Sequence, residues 1–198
     1  MEPEPKQEGP NVHPAERPIF YTDAVVAIAM TLLILPLMES IGEIGDADAL
    51  GWLEEHTDQL IAFAISFALV AMFWTAHHRL FQHLRGITPR MIWLNFAWMF
   101  TIVCLPVVTA LTGRLSVLRD DGSVDRVLIG LYMGTMLASS ALLYLLEVSV
   151  RRAPHLWEPA NPPTRRSESV ALAMFLLFAL ALLVRNCSPS SATFRTSC

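Results

Sequence analysis

The first apolar stretch of this chain carries a single carboxylate. Asp23 follows Tyr21 and Thr22 and precedes AVVAIAMTLLILPLM, with no other charge before Glu39. A charge inside a membrane-length helix costs at least about 2.5–3.5 kcal/mol on insertion scales, so it calls for an explanation. Asp23 either caps the helix at headgroup depth, a position that suits Asp, or meets polar partners from other segments. Arg17 lies six residues earlier, where a helix or a bent approach brings it near. A second polar group, Trp74, His77, His78 and Arg79, closes the second apolar stretch. Trp74 stands at i,i+3 to His77 and at i,i+4 to His78, so the three share a helix face. An indole only donates, whereas a neutral imidazole donates and accepts. This group can satisfy Asp23 if the two segments lie side by side. Asn95, early in the third stretch, is at the same depth, and an amide bridging membrane helices contributes about 0.6–2 kcal/mol.

Other chemistry finds little support. A zinc site takes three or four ligands in a tetrahedral array. The adjacent His77 and His78 point apart, and His83 is five residues beyond His78, so no metal is expected. No nucleophile elbow, phosphate-binding loop or dinucleotide fingerprint occurs, and no enzyme is expected. A net charge of −4 offers no basic face for nucleic acid. Glu147 and Arg151 read as a solvated i,i+4 ion pair. Cys104 reads as a small apolar packing residue, and Cys187 and Cys198 share the C-terminal end.

Long apolar blocks must carry these side chains. Hydrophobic residues make up 54% of the chain and charged residues 16%, with a mean hydropathy of +0.45. A soluble domain has about 25% charge. Five segments, at about 18–38, 58–80, 90–113, 125–148 and 167–186, reach or approach the roughly 20 apolar residues that cross a bilayer. None alternates with a period of two, so all five read as helices. The expected fold is all-α, a polytopic membrane helical bundle with five visible transmembrane helices. Residues 1–16, rich in Pro and Glu, are expected to form a disordered cytoplasmic tail, and 187–198 a flexible one. The first block is not a signal peptide, because its flank is not basic and no small-residue cleavage site closes it.

Charge gives an orientation. An N-inside arrangement of the five spans places nine of the 14 Lys and Arg inside and five outside, which favours a cytoplasmic N-terminus. In the acidic loop 39–59, Trp52 and Leu53 suit either a short interfacial helix or the start of span two. Trp74, Trp93 and Trp98 are not divided by sequence between interface anchors and interior packing. Pro36 is expected to kink or end the first helix and Pro106 to kink the third, unless neighbours repair the lost hydrogen bond. In span one, Ala24, Ala27 and Thr31 form a small-residue stripe, and Ile28, Leu32 and Leu35 stack at i, i+4 and i+7. Spacing alone does not separate a pore lining from ordinary helix packing.

Together these pieces resemble a known family. They are Arg17-x5-Asp23, Tyr21-Thr22-Asp23-Ala24-x2-Ala27-Ile28-x2-Thr31-Leu32-Leu33, Ser66-Phe67, Trp74-x2-His77-His78-Arg79, Leu94-Asn95 and Pro106. This ordered set resembles the transmembrane protein 175 family, which includes the endosomal and lysosomal potassium channel and its bacterial homologues. The resemblance covers about residues 17–113, and the remainder agrees by hydropathy. It implies a potassium-selective channel of leak type in a bacterial cell membrane, a homotetramer whose first helices line the pore. The implied partners are the lipid bilayer, further copies of the chain and permeant potassium ions, with no cofactor. Ile28, Leu32 and Leu35 would fall on the family's hydrophobic constrictions and Thr31 on its threonine layer. A ring of isoleucines that water leaves gates by dewetting, without a TVGYG carbonyl filter. Arg17, Thr22, Asp23, Trp74, His77 and Asn95 would form the polar network that holds the pore helix in register.

Two departures accompany the resemblance. The family's Phe-Ser-Asp is Tyr21-Thr22-Asp23 here, and no sixth span is expected after Arg185, although bacterial members have six helices. The rival readings are a proton-coupled transporter with Asp23 and His77 as the relay, and a non-conducting, truncated member of the family. No inverted repeat supports the transporter.

Overall fold

The computed structural model describes residues 13–41, 49–114 and 126–157, and beyond them 172–173, 176–180 and 183. Four stretches among these are long and apolar enough to cross a membrane: Glu16–Ile41, Thr57–Phe81, Pro89–Thr112 and Val127–Arg151. Apolar segments in lipid must satisfy their backbone internally, and a helix does this within one segment. The fold is an all-α polytopic bundle. The segment at about 167–186 falls largely outside the described residues. Its described pieces are helical, and Phe178 is buried in the core. The two tails, apart from residues 13–16, also lie outside.

The elements in chain order are strand β1 (His13–Pro14), α1 (Glu16–Leu32), α2 (Leu35–Ile41), α3 (Ala49–Glu55), α4 (Thr57–Phe81), strand β2 (Gly86–Ile87), α5 (Pro89–Arg114), α6 (Arg126–Arg151) and a 3-10 turn at Pro154–Leu156. Pro36 has no N–H to give the Leu32 carbonyl, and the first span breaks there. The Ile34 and Leu37 N–H groups make tighter i−3 bonds, to Thr31 and Ile34, across the break. Pro106, by contrast, sits inside a continuous α5. The start of α5 is set by Thr88, whose hydroxyl accepts the Met91 N–H at 3.4 Å, and by Pro89 at the first helical position. Residues 49–55 form a helix of their own, joined to α4 by a turn at His56. Its Trp52 stacks on His56 and donates to the Ser40 carbonyl at 3.4 Å.

Helix α5 is the centre of the bundle. It packs on α1, α4 and α6 and is the most buried of the four spans. Trp98, Ile102 and Leu105 of α5 meet Val70 and Phe73 of α4, Val26 and Ala29 of α1, and Met136 and Leu143 of α6 in one buried cluster. A polar clasp fastens the end of the bundle where α1 begins. His13 and Pro14 pair antiparallel with Ile87 and Gly86 in the α4–α5 turn. The same turn bonds on its other side, where the Arg85 N–H reaches the Leu156 carbonyl at 2.9 Å and Leu84 bridges Trp157. The α1 start, the α4 end, the α5 start and the α6 end therefore share one end of the molecule.

Candidate functional site

Three hydrogen bonds at this end tie three helices pairwise. The Trp74 indole of α4 donates to Asp23 Oδ1 of α1 at 2.8 Å. Asn95 Nδ2 of α5 donates to Thr22 Oγ1 of α1 at 2.7 Å. His77 Nε2 of α4 lies 2.7 Å from Asn95 Oδ1. The donors follow from one anchor. The Thr22 hydroxyl donates to its own Pro18 carbonyl at 2.8 Å, so its oxygen accepts from the Asn95 amide. Asn95 then presents its carbonyl to His77, which must carry its proton on Nε2. Thr22, His77 and Asn95 are buried and Asp23 half-buried, so Asp23 is bridged between helices rather than left as a free cap.

Aromatic rings hold the imidazoles. His77 is sandwiched between Trp98 and Phe81, with both ring centroids at 4.4 Å and interplanar angles of 11° and 20°. His78 stacks on Trp74 at 5.2 Å, which fixes the indole that holds Asp23. The three tryptophans thus divide: Trp98 is interior packing, Trp74 a half-buried donor, and Trp93, 74% exposed, points outward.

Arg17 does not join this group. It is exposed and makes no hydrogen bond or ion pair among the described residues. The reason is helical phase: six residues turn about 600°, which leaves Arg17 roughly 120° from Asp23. The Glu147–Arg151 pair is also corrected. The contact exists at 3.2 Å, but the Glu147 side chain is only 3% exposed, so it is an interior pair and not a solvated one. Cys104 is half-buried and lines a shallow groove with Gly130 and Gly134 of α6. Among the described residues no three His, Cys, Asp or Glu side chains converge as a metal site.

The opposite face of α1 looks out of the protomer. Thr22, Val26, Ala29 and Leu33 are buried, while Ala24, Ala27, Ile28, Thr31, Leu32 and Leu35 are exposed. Ile28 is 59%, Leu32 38% and Leu35 49% exposed. Thr31 lies nine residues from Thr22, about half a turn round the helix. Its hydroxyl donates to the Ile28 carbonyl at 2.8 Å, which leaves its oxygen lone pairs facing outward.

A second set of hydroxyls, not singled out from sequence as a group, links α4, α5 and α6 deeper in the bundle. Thr109 Oγ1 donates to Ser66 Oγ at 2.8 Å, and Ser66 meets the Tyr132 hydroxyl at 3.1 Å. Ser139 donates to Thr101 at 2.8 Å. The available signal was one hydroxyl per apolar span at matching depth, since a hydroxyl buried in lipid seeks a partner.

The comparisons with known proteins bear on the same residues. The family described as endosomal/lysosomal potassium channel TMEM175 matches residues 17–106, which contain α1 from its second residue, α2, α3, α4 and most of α5. A potassium channel of Streptomyces collinus is 26% identical over 159 residues, covering 78% of this chain and 73% of that protein. A potassium channel of a Chryseobacterium species is 26% identical over 93 residues, 47% of this chain and 46% of its own length. The endosomal/lysosomal proton channel TMEM175 of Mus musculus is 34% identical over 99 residues, 46% of this chain but only 20% of the mouse protein. The matched span holds every residue of the three-helix junction, Thr22, Asp23, Trp74, His77 and Asn95. On these findings the chain is an integral membrane protein whose residues 17–106 are similar to the TMEM175 family of channels.

Proposed function

We propose that this protein is a potassium-permeable channel whose conduction path is lined by the outward face of α1. The observation that carries the reading is the division of α1 into two faces. One face is fixed to α4 and α5 by Asp23–Trp74 and Thr22–Asn95, and the other presents Ile28, Thr31 and Leu32 away from the protomer, with Leu35 exposed at the start of α2. An isolated apolar helix needs no such rotational lock, whereas a pore-lining helix does, because a turn of one residue would swap Ile28 for Ala29. The lining then needs further copies, and a homotetramer in the bilayer supplies four isoleucines to one ring. Apolar rings gate by dewetting, and an ion passing them sheds water, which potassium releases more readily than sodium. No bound cofactor takes part. The bacterial relatives named as potassium channels support the ion, and the basic end of the bundle supports a cytoplasmic N-terminus.

Ion flux from liposomes tests this reading. Purified protein in potassium-loaded vesicles should release potassium faster than sodium, with no proton requirement. Ile28→Asn wets the ring and should raise flux several-fold. Flux that saturates and follows the proton gradient would favour the transporter, and unchanged flux in Ile28→Asn would remove the pore-lining assignment.

A further inference from the structure

Arg17 lies outside the polar junction, and its place on α1 gives it another role. Eleven residues separate it from Ile28 and fourteen from Thr31, so within α1 all three fall within about 40° of one line. Ala24 falls on that line too. Arg17 is exposed, sits in the first turn, and lies about 16 Å before Ile28 along the axis. Glu16 points about 100° away, and Asp23 faces α4, where Trp74 holds it. The clasp brings the α4–α5 turn to the same end, and the exposed Arg79 at the end of α4 and Arg90 at the start of α5 add the same sign of charge.

We infer that Arg17 forms a positive ring at the α1 N-terminal mouth of the conduction path and regulates cation access there. The inference rests on the pore reading above, because only a pore along this face sets the guanidinium at its mouth. A positive ring depletes cations locally and slows their arrival from that side, while the apolar constriction sets passage further in. The effect depends on salt, since the Debye length is about 10 Å at 0.1 M and about 3 Å at 1 M. At about 0.1 M it therefore acts at the mouth and is largely screened over the distance to Ile28, and at about 1 M it vanishes.

The test is conductance of the full chain in planar bilayers, with KCl varied on the α1 N-terminal side. Arg17→Gln should raise current from that side about two- to threefold at low salt and leave it unchanged at 1 M KCl. Arg17→Lys should behave as the wild type. No change in Arg17→Gln at low salt overturns the inference, as does a change that persists at 1 M, which marks a structural role. If Arg17→Gln fails to assemble, the wild type still decides. Its current from that side should rise more steeply than in proportion to KCl, and strict proportionality overturns the inference. Ile28→Asn, measured alongside, separates the two failures. If Ile28→Asn alters conductance and Arg17→Gln does not, only the ring is wrong. If neither does, the pore reading fails with it.

Discussion

Asn95 serves three helices because one planar amide holds both a donor and an acceptor. It takes the His77 Nε2–H on its oxygen and gives an N–H to Thr22. Asn95→Leu removes both and leaves a buried imidazole N–H without a partner, a loss of about 1–3 kcal/mol. Thermal unfolding in detergent should show a lower Tm, and an unchanged Tm would show that the junction is dispensable. At Asp23 the hydrogen bond and the charge separate. Asp23→Asn keeps an oxygen for the Trp74 indole, whereas Asp23→Ala keeps none, so size-exclusion of the proposed oligomer should show the alanine variant the more disrupted. An equal loss in both would mean that the charge itself holds the site. Much of this junction was legible, because Asp, His and Asn are rare in apolar spans and lie at matching depth. Arg17 was not, since nearness in sequence says nothing of helical phase. Glu147 was misread because an i,i+4 partner on its own helix looks the same whether or not a neighbour covers it.

Among the elements, Pro36 and Pro106 show the limits of a local rule. Each lacks an N–H, yet only Pro36 breaks its helix. Pro106 is buried within the central α5, where α1, α4 and α6 pack around the helix and hold its course. Pro36 lies past the last α1 contact with the polar junction and has less to hold it. Pro36→Ala should restore the bond to the Leu32 carbonyl and extend α1 into α2. Amide exchange at residues 33–37 should then slow, and unchanged exchange would place the cause of the break elsewhere. The clasp between β1, the α4–α5 turn and Leu156–Trp157 had no sequence signal, because two-residue pairings leave no periodicity. Its buried Ile87, packed with Ala15 and Leu84, gives it a test. Ile87→Asp should speed exchange of the Arg85 amide, which bonds Leu156, and equal protection would show that the turn holds without the clasp.

At the scale of the molecule, α1, α4 and α6 pack around α5, and one face of α1 stays exposed. An all-α membrane bundle follows from length and hydropathy alone. Which side of each helix faces in did not follow, because every face of these spans is apolar and periodicity carries no contrast. The lock of Thr22, Asp23, Trp74, His77 and Asn95 supplies that contrast by fixing the rotation of α1. The central claim is that the face so exposed lines the ion path. Substituted-cysteine accessibility tests it most directly, in a background with Cys104, Cys187 and Cys198 replaced by Ser. Single cysteines at 24, 28 and 31 should be modified by a charged methanethiosulfonate added from the aqueous side, with potassium flux altered as they react. Cysteines at 26, 29 and 33 should neither react nor change flux. Reaction and block at 26 or 29 with none at 28 or 31 would contradict the account and place the path on another face.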